Sequence, residues 1–224
     1  MSVLFIHYEL DPATLQPSVP FALDVRDGKA YVSLVAFSQQ ELRLAWGGAL
    51  TAWAGAYVAN HDFLNVRTYV RENGQAGIHF IVEWVPSRLA MWIAPRLYGL
   101  PYRLGQFEAG RVNDATGRFE YRAEAVTGFG PSSPGSLDEF LLERYVAYTQ
   151  YHGVRRRFRV THTSWPQTPV PVEVLDDSLL RGNFPWWPAA RFVGANYSPG
   201  VSVTIGRPER LPELGALTRR WEHL

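Results

Sequence analysis

The residues with the clearest chemical potential lie in the stretch Phe63-Leu-Asn-Val-Arg-Thr-Tyr-Val70. Its alternation predicts a β-strand over residues 63–71, and side chains two residues apart on a strand share a face. Asn65, Arg67 and Tyr69 therefore lie together, and an arginine fork between an amide and a phenol is a good carboxylate receptor. The alternative is a surface arginine that pairs across to a neighbouring strand.

A second strand is predicted over residues 77–85, joined to the first by a hairpin turn at Asn73-Gly74. Glu83 lies on this strand and shares its face with His79 by simple alternation. A buried Glu83 is expected to pair with Arg67 across the hairpin. A solvent-facing glutamate is the alternative.

Bulk composition excludes several classes of protein. The 224 residues suit one domain, 46% of them are hydrophobic, and the net charge of +1 gives no field that attracts nucleic acid or an anionic membrane. The basic cluster Arg155-Arg-Arg157 with Arg159 is predicted to be a solvated strand edge.

Cysteine is absent, which excludes disulfides, a thiol nucleophile and cysteine-based metal sites. The N-terminus lacks signal-peptide features and no apolar stretch is long enough to span a bilayer, so a cytoplasmic location is expected.

Sequence motifs predict neither a metal site nor a cofactor site. The six histidines are scattered, and no pair has metal-ligand spacing on one element. The nucleophile-elbow, dinucleotide-binding and phosphate-loop patterns are also absent. Lys29 is the only lysine among the 22 Lys and Arg residues, so one side-chain amine exists for Schiff-base chemistry.

Two helices are predicted. The first runs from Ser87 to Tyr98, with Leu89, Trp92, Ile93 and Leu97 as its apolar stripe, and Gly99-Leu-Pro101 ends it. The second opens at the capping box Ser136-Leu-Asp-Glu139 and runs to about Gln150.

Strands outnumber helices, and hairpins join most neighbours. These features predict an α+β chain built on antiparallel sheet, as a barrel or a pair of curved sheets, in a single domain over residues 1–206 with a charged tail over 207–224. Residues 46–60 are predicted as a loop at the barrel rim, and Asn113–Gly117 as a turn. Further strands are expected at residues 3–9, 22–26, 30–37, 102–109, 118–126, 154–163, 190–195 and 201–205, with 170–181 a strand that leads into a short helix.

Several blocks of the chain, in order, resemble the DUF2071 (YqjF-like) family of uncharacterised bacterial proteins. They are Phe5-Ile-His-Tyr8 through Pro20, Asp27 to Phe37, Leu64 to Val70, Leu137 to Tyr145 and Tyr197-Ser-Pro-Gly-Val201. That family is similar to the acetoacetate decarboxylase superfamily. The resemblance implies an antiparallel β-barrel-like core with helices packed outside and a ligand cavity within.

The resemblance also implies which positions matter chemically. In the decarboxylases two lysines follow a Gly-x-Pro turn, and the first forms an imine with the substrate. Here the turn reads Gly99-Leu-Pro-Tyr-Arg103, so Tyr102 and Arg103 stand at the lysine positions, and Asn65 falls near the position of an active-site glutamate. Neither Tyr102 nor Arg103 can form an imine, so imine-dependent decarboxylation is predicted to be absent.

The leading hypothesis is a cavity that binds a small organic acid, such as a carboxylate or keto acid, or a related oxygenated apolar ligand. Its expected contacts are Asn65, Arg67, Tyr69, Glu83, Tyr102 and Arg103. Tyr102 is the candidate general acid if the protein is an enzyme of the non-imine lyase, hydrolase or isomerase type. A non-catalytic interaction domain, with Phe184-Pro-Trp-Trp-Pro188 as its contact surface, is the third hypothesis. No cofactor is expected, and homo-oligomerisation is left open.

Overall fold

The computed structural model describes residues 2–38, 42–44 and 62–212 of the 224-residue chain. Two sequence-based predictions fall wholly or partly outside these ranges, namely the loop over residues 46–60 and the end of the charged tail over 207–224. Two of the six histidines, His61 and His223, also lie outside them.

Strands are the main regular secondary structure of the described residues. Numbered along the chain, they are β1 Ser2–Leu10, β2 Ala30–Ser38, β3 Leu42–Leu44, β4 Asp62–Glu72, β5 Gln75–Val85, β6 Tyr102–Leu104, β7 Gln106–Glu108, β8 Arg111–Asp114, β9 Gly117–Ala123, β10 Val146–Tyr151, β11 Val154–Thr161, β12 Thr168–Pro169, β13 Val172–Asp176, β14 Arg191–Ser198, β15 Val203–Ile205 and β16 Glu209–Arg210.

The strands form one large sheet and one small sheet. In the large sheet the order is β12-β14-β1-β2-β4-β5-β10-β11-β15-β3, with β6 beside β5 and β16 beside β11. The small sheet has the order β13-β9-β8-β7. The two ends of the large sheet are different strands that do not pair, so the predicted barrel closure is wrong for the described strands. The predicted antiparallel character is also incomplete, because β10 and β6 both run parallel to β5, and β15 runs parallel to β3.

Helices are few and short. They are α1 Pro12–Leu15, α2 Arg88–Tyr98, α3 Leu137–Leu142 and α4 Ser178–Asn183, with 3₁₀ turns at Gln16–Ser18 and Trp187–Ala189. None of the helices in the described ranges is long and apolar enough to cross a membrane.

The hairpin that carries the candidate residues forms as predicted. Asn73 and Gly74 both have positive φ, at 49° and 79°, which is the geometry of a two-residue turn between twisted strands. Asp27 and Gly28 adopt the same geometry. The strand predicted over residues 22–26 is reduced to isolated bridges, one of which joins Leu23 to Val70.

The helix predicted from Ser136 to Gln150 is wrong in its second half. The Ser136 side chain accepts from the Glu139 backbone N–H at 3.1 Å, as a capping box requires, but α3 ends at Leu142. Residues Val146–Tyr151 form β10, because this aromatic and β-branched stretch pairs with both β5 and β11.

The stretch after Tyr102 also differs from its prediction. The expected strand over residues 102–109 is divided at Gly105 into β6 and β7. The expected turn at Asn113–Gly117 is correct only for its two central residues. Asn113 and Asp114 belong to β8, which pairs with both β7 and β9, and Gly117 begins β9. The short segments form a meander with tight turns, which apolar alternation alone does not reveal.

The apolar stripe predicted for α2 is wrong, although its ends are as expected. The Ser87 side chain caps the helix and Gly99, with φ of 72°, ends it. Three of the four stripe residues are exposed, and Trp92 is the most exposed at 62%. The helix instead buries Ala90, Pro95 and Tyr98. Ala90 packs with Val85 of β5, and the Tyr98 ring packs edge-on against Phe158 of β11.

The two faces of the large sheet have different chemistry. The first face is apolar and packs on Val112 and Phe119 of the small sheet, with Trp186 and Trp187 buried in the same core. Burial of these tryptophans counts against the hypothesis that residues 184–188 form a contact surface. The second face is covered by α3 and Trp165 and carries buried polar side chains among apolar ones.

The basic cluster on β11 is more buried than a solvated edge. Arg155 and Arg156 are buried, whereas Arg157 and Arg159 are exposed. Arg155 bonds to Glu72 at 2.9 Å and lies over the Phe21 ring, so the predicted solvated edge is wrong for half of the cluster.

Gly77 allows β10 to lie close to β5, and its replacement should destabilise the fold. A Cβ at this position would lie 2.6 Å from the Val146 carbonyl oxygen and from the Tyr148 ring. We expect Gly77→Ala to lower the free energy of unfolding by about 1–3 kcal/mol in urea titrations. Gly130→Ala is the control, because no atom lies within 4 Å of its Cβ position. Equal stability of the two variants would contradict this account of the β5–β10 contact.

Candidate functional site

Strand register aligns the polar residues of the second face in neighbouring rows. In one row His7 of β1 lies opposite Ser33 of β2, which in turn lies opposite Arg67 of β4. In the adjacent row Asn65 of β4 lies opposite Glu83, which lies beside Tyr102 of β6. Tyr69 follows on β4. We call these seven residues the interior cluster.

A β-bulge decides which residues of β5 join the interior cluster. Val66 pairs with Val82 and Arg67 pairs with Phe80, so Ile81 is an extra residue. The bulge reverses the alternation of β5, and the predicted shared face of His79 and Glu83 is therefore wrong.

His79 consequently lies on the first face. It is opposite Thr68, its Nδ1 lies 2.9 Å from the Tyr148 carbonyl oxygen, and its ring packs on Phe21. The predicted ion pair between Glu83 and Arg67 is also absent from the part of the chain that the structure describes.

Arg67 is a buried cation held by a backbone carbonyl. Its exposure is 8%, and Nη2 donates to the Leu141 carbonyl oxygen at 3.0 Å, in the last turn of α3. The guanidinium carbon lies 5.3 Å from the ring centre of Phe5 and 6.0 Å from that of Tyr69. No carboxylate of the described residues lies within salt-bridge distance, and Nε has no acceptor.

A chain of hydrogen bonds links Tyr69 to β14. The Tyr69 hydroxyl donates to the Leu141 carbonyl at 2.9 Å and lies 2.5 Å from Ser33 Oγ. Ser33 Oγ is 2.7 Å from His7 Nδ1, and His7 Nε2 is 3.0 Å from Asn196 Oδ1. Burial, then the charge of Arg67, lowers the pKa of His7 to about 3, so this imidazole is neutral near pH 7.

Sequence reasoning missed His7, Ser33 and Asn196. Spacing within one element does not reveal them, because their partners lie on other strands. The available signal was alternation, since His7 follows Val3 and Phe5 on the same face of β1.

Glu83 is buried, and one of its two carboxylate oxygens lacks the hydrogen bond that usually accompanies burial. Its exposure is 5%, Oε1 has no partner, and burial raises the pKa of the carboxyl to about 8. Asn65, directly opposite, has an unpartnered Oδ1. Burial, then the charge of Glu83, raises the pKa of Tyr102 well above its ordinary value.

Arg103 is not brought to the interior cluster. It is exposed, follows Tyr102 on β6 and therefore points to the opposite side, where it donates to the Asn183 side chain. The other five predicted site residues, Asn65, Arg67, Tyr69, Glu83 and Tyr102, do lie together.

A groove of about 510 Å³ lies along α3 and reaches His7 and Asn196. Leu141 connects the two regions, because its carbonyl bonds to Arg67 while the residue also lines the groove. Within the described ranges, no group of three or more His, Asp and Glu residues is placed to hold a metal ion.

Comparisons with known proteins give a consistent relationship. The sequence profile of DUF2071, described as an uncharacterised conserved protein, matches residues 1–202. The chain is 30% identical over 176 residues to the uncharacterised protein YqjF of Bacillus subtilis (strain 168). The aligned region covers 73% of this chain and 71% of that protein.

Solved structures with the same fold include two enzymes. The enduracididine biosynthesis enzyme MppR complexed with pyruvate has a TM-score of 0.61 at 13% identity, over 95% of this chain and 88% of that chain. An acetoacetate decarboxylase-like enzyme from Sphingomonas wittichii RW1 has a TM-score of 0.55 at 19% identity, over 95% and 91%. At these identities the likeness establishes an acetoacetate decarboxylase-like fold.

The raised pKa of Glu83 should appear as pH-dependent stability. The folded state keeps the proton that the unfolded chain releases above pH 4.5, so stability falls as pH rises until the folded pKa near 8 is passed. The stability of the wild type relative to Glu83→Gln should drop by roughly 4 kcal/mol between pH 4.5 and 8. Urea titrations at several pH values measure this difference, in which the contributions of His7 and His79 cancel. A constant difference would show that Glu83 titrates normally.

Proposed function

The chain belongs to the DUF2071 family of uncharacterised conserved proteins, and we propose that its interior cluster binds a small organic acid. The family resemblance inferred from the sequence blocks is thereby confirmed, but family membership assigns no activity. The proposal depends on one observation, the buried guanidinium of Arg67 without a carboxylate among the described residues.

A buried cation is costly unless an anion or several hydrogen bonds compensate it. Among the described residues, Arg67 has one carbonyl acceptor and two aromatic rings, while its Nε–H has no acceptor. A ligand carboxylate on the Nε edge would supply both the charge and the missing acceptor, and the planar fork of arginine suits its two oxygens.

The neighbouring row suits a second, uncharged oxygen of the ligand. Glu83 is protonated below about pH 8 and Tyr102 keeps its proton well above neutrality, so both can donate hydrogen bonds. The pyruvate complex of MppR supports this assignment by fold analogy, since pyruvate combines a carboxylate with a carbonyl oxygen.

We further propose that the site does not use an imine. Lys29, the only lysine, is exposed on the turn that Asp27 and Gly28 form, and Tyr102 has no amine. The absence of cysteine and the net charge of +1 support a cytoplasmic protein without a nucleic-acid partner. The oligomeric state is not part of the proposal.

Borohydride trapping tests the imine proposal. Incubation of the protein with acetoacetate or pyruvate and then with sodium borohydride should leave its intact mass unchanged, because no buried lysine is available to form a reducible adduct. Lys29→Arg is the control variant. A stable adduct in the wild type that disappears in Lys29→Arg would contradict the proposal.

Thermal-shift titrations test carboxylate binding. Pyruvate, propionate and acetate should stabilise the protein with the concentration dependence of mass action, by about 2.7 kcal/mol at 100 times the dissociation constant. The stabilisation should be lost in Arg67→Met, which removes the charge and keeps an unbranched side chain. Arg103→Met is the matched control, because Arg103 is an exposed arginine outside the interior cluster. Full ligand stabilisation of Arg67→Met would reject Arg67 as the anchor.

A further inference from the structure

A carboxylate bound at Arg67 does not account for Glu83. Glu83 lies in the adjacent row, is 5% exposed and has an unpartnered Oε1. A carboxyl group that only supports the fold is expected to be hydrogen-bonded when it is this deeply buried. The feature therefore calls for an explanation beyond anion binding.

The register places Glu83 within reach of a ligand anchored at Arg67. Asn65 and Glu83 are directly opposite, so their Cβ atoms are about 5 Å apart, and Tyr102 occupies the next strand of the row. Arg67 lies two residues from Asn65, about 7 Å along β4. A short acid with its carboxylate at Arg67 thus presents its second and third carbons to Asn65, Glu83 and Tyr102.

Burial, rather than a neighbouring charged or titratable group, sets the protonation state of Glu83. Tyr102 on β6 keeps its proton, His7 on β1 is neutral, and Arg67 on β4 is the nearby cation. On α2, which packs beside the neighbouring Val85, Arg88 and Arg96 are exposed. With a pKa near 8, Glu83 exists in both protonation states close to neutral pH, as proton transfer in both directions requires.

We propose that Glu83 is a catalytic residue that removes and returns a proton at the carbon next to the carbonyl of a bound 2-oxo monocarboxylate. This inference rests on the proposed function, because Arg67 must first hold the carboxylate. It assigns the site an activity, enolisation without an imine.

The step balances without a co-reactant. The Glu83 carboxylate takes a proton from C3, the C3–H electron pair forms the C2–C3 double bond, and the carbonyl π pair moves onto the C2 oxygen. Tyr102 donates a hydrogen bond to the resulting enolate oxygen, and the charge of Arg67 stabilises it. Return of the proton from Glu83 to C3 regenerates the oxo acid, with a solvent-derived proton if Glu83 has exchanged meanwhile.

Tyr102 is unsuited to the role of base. Its pKa lies well above the ordinary value of tyrosine, so the phenolate is scarcely populated near neutral pH, while the hydroxyl remains a good donor. Glu83 therefore transfers the proton, and Tyr102 stabilises the enolate oxygen.

Deuterium exchange into the methyl group of pyruvate tests this inference. Proton NMR in D₂O should show loss of the methyl signal with the wild type at a rate above the protein-free background. The rate should increase with pH and level off near the pKa of Glu83, because the carboxylate is the base. Glu83→Gln should lower the protein-dependent rate by about 10²-fold or more, Tyr102→Phe by a smaller factor, and exposed Glu173→Gln should leave it unchanged.

Pyruvate binding is measured on the same samples by thermal shift, which separates the two proposals. Binding to the wild type and to Glu83→Gln, with exchange in the wild type alone, is the expected result. Binding without exchange above background would overturn the assignment of Glu83 and leave the carboxylate site intact. Absence of pyruvate binding and exchange in the wild type would overturn both.

Discussion

The buried charge of Arg67 is the constraint on which the second face of the sheet depends. A guanidinium cannot lie inside a protein without acceptors, and the described residues give it a carbonyl and two aromatic rings rather than a carboxylate. The same Leu141 carbonyl accepts from Tyr69, so the end of α3 is attached to β4 by two hydrogen bonds. Fold and site are thus coupled, because the helix that covers the polar face is held by the residues proposed to bind the ligand.

The bulge at Ile81 is the local feature that assembles the site. Without the extra residue, Glu83 would point to the apolar first face, toward the core that contains Trp84 and Val82. With it, Glu83 faces Asn65 while His79 is turned into the opposite core. One inserted residue therefore determines which titratable side chain the interior cluster receives, and this agrees with the frequent occurrence of bulges beside functional sites.

Features that depend on local backbone preferences are predicted correctly from the sequence. Features that depend on pairing between distant strands are not. The Asn73-Gly74 turn, the Ser136 cap and the Gly99 helix end follow from backbone preferences and are confirmed. The apolar pattern of Val146–Tyr151 fits both a helix and a strand, and only its pairing with β5 and β11 distinguishes them. Barrel closure and the position of Arg103 were expected from family resemblance, and neither is set by local sequence. Five of the six predicted site residues lie together for different reasons. Alternation along β4 places Asn65, Arg67 and Tyr69, whereas Glu83 depends on the bulge in β5 and Tyr102 on the pairing of β6 with β5.

The proposed function implies that a fold can keep a binding site while the chemistry of that site changes. An imine mechanism needs an amine, and this chain has Tyr102 at the position where the family resemblance implies one. The adjacent polar residues do not require the amine for their own stability, because His7, Ser33 and Tyr69 bond to one another and to α3. What remains beside Tyr102 is a cation, an amide and a carboxyl group whose pKa is raised by burial alone. These are the groups that the proposed enolisation requires, to stabilise negative charge on oxygen and to move a proton without a covalent bond to the ligand.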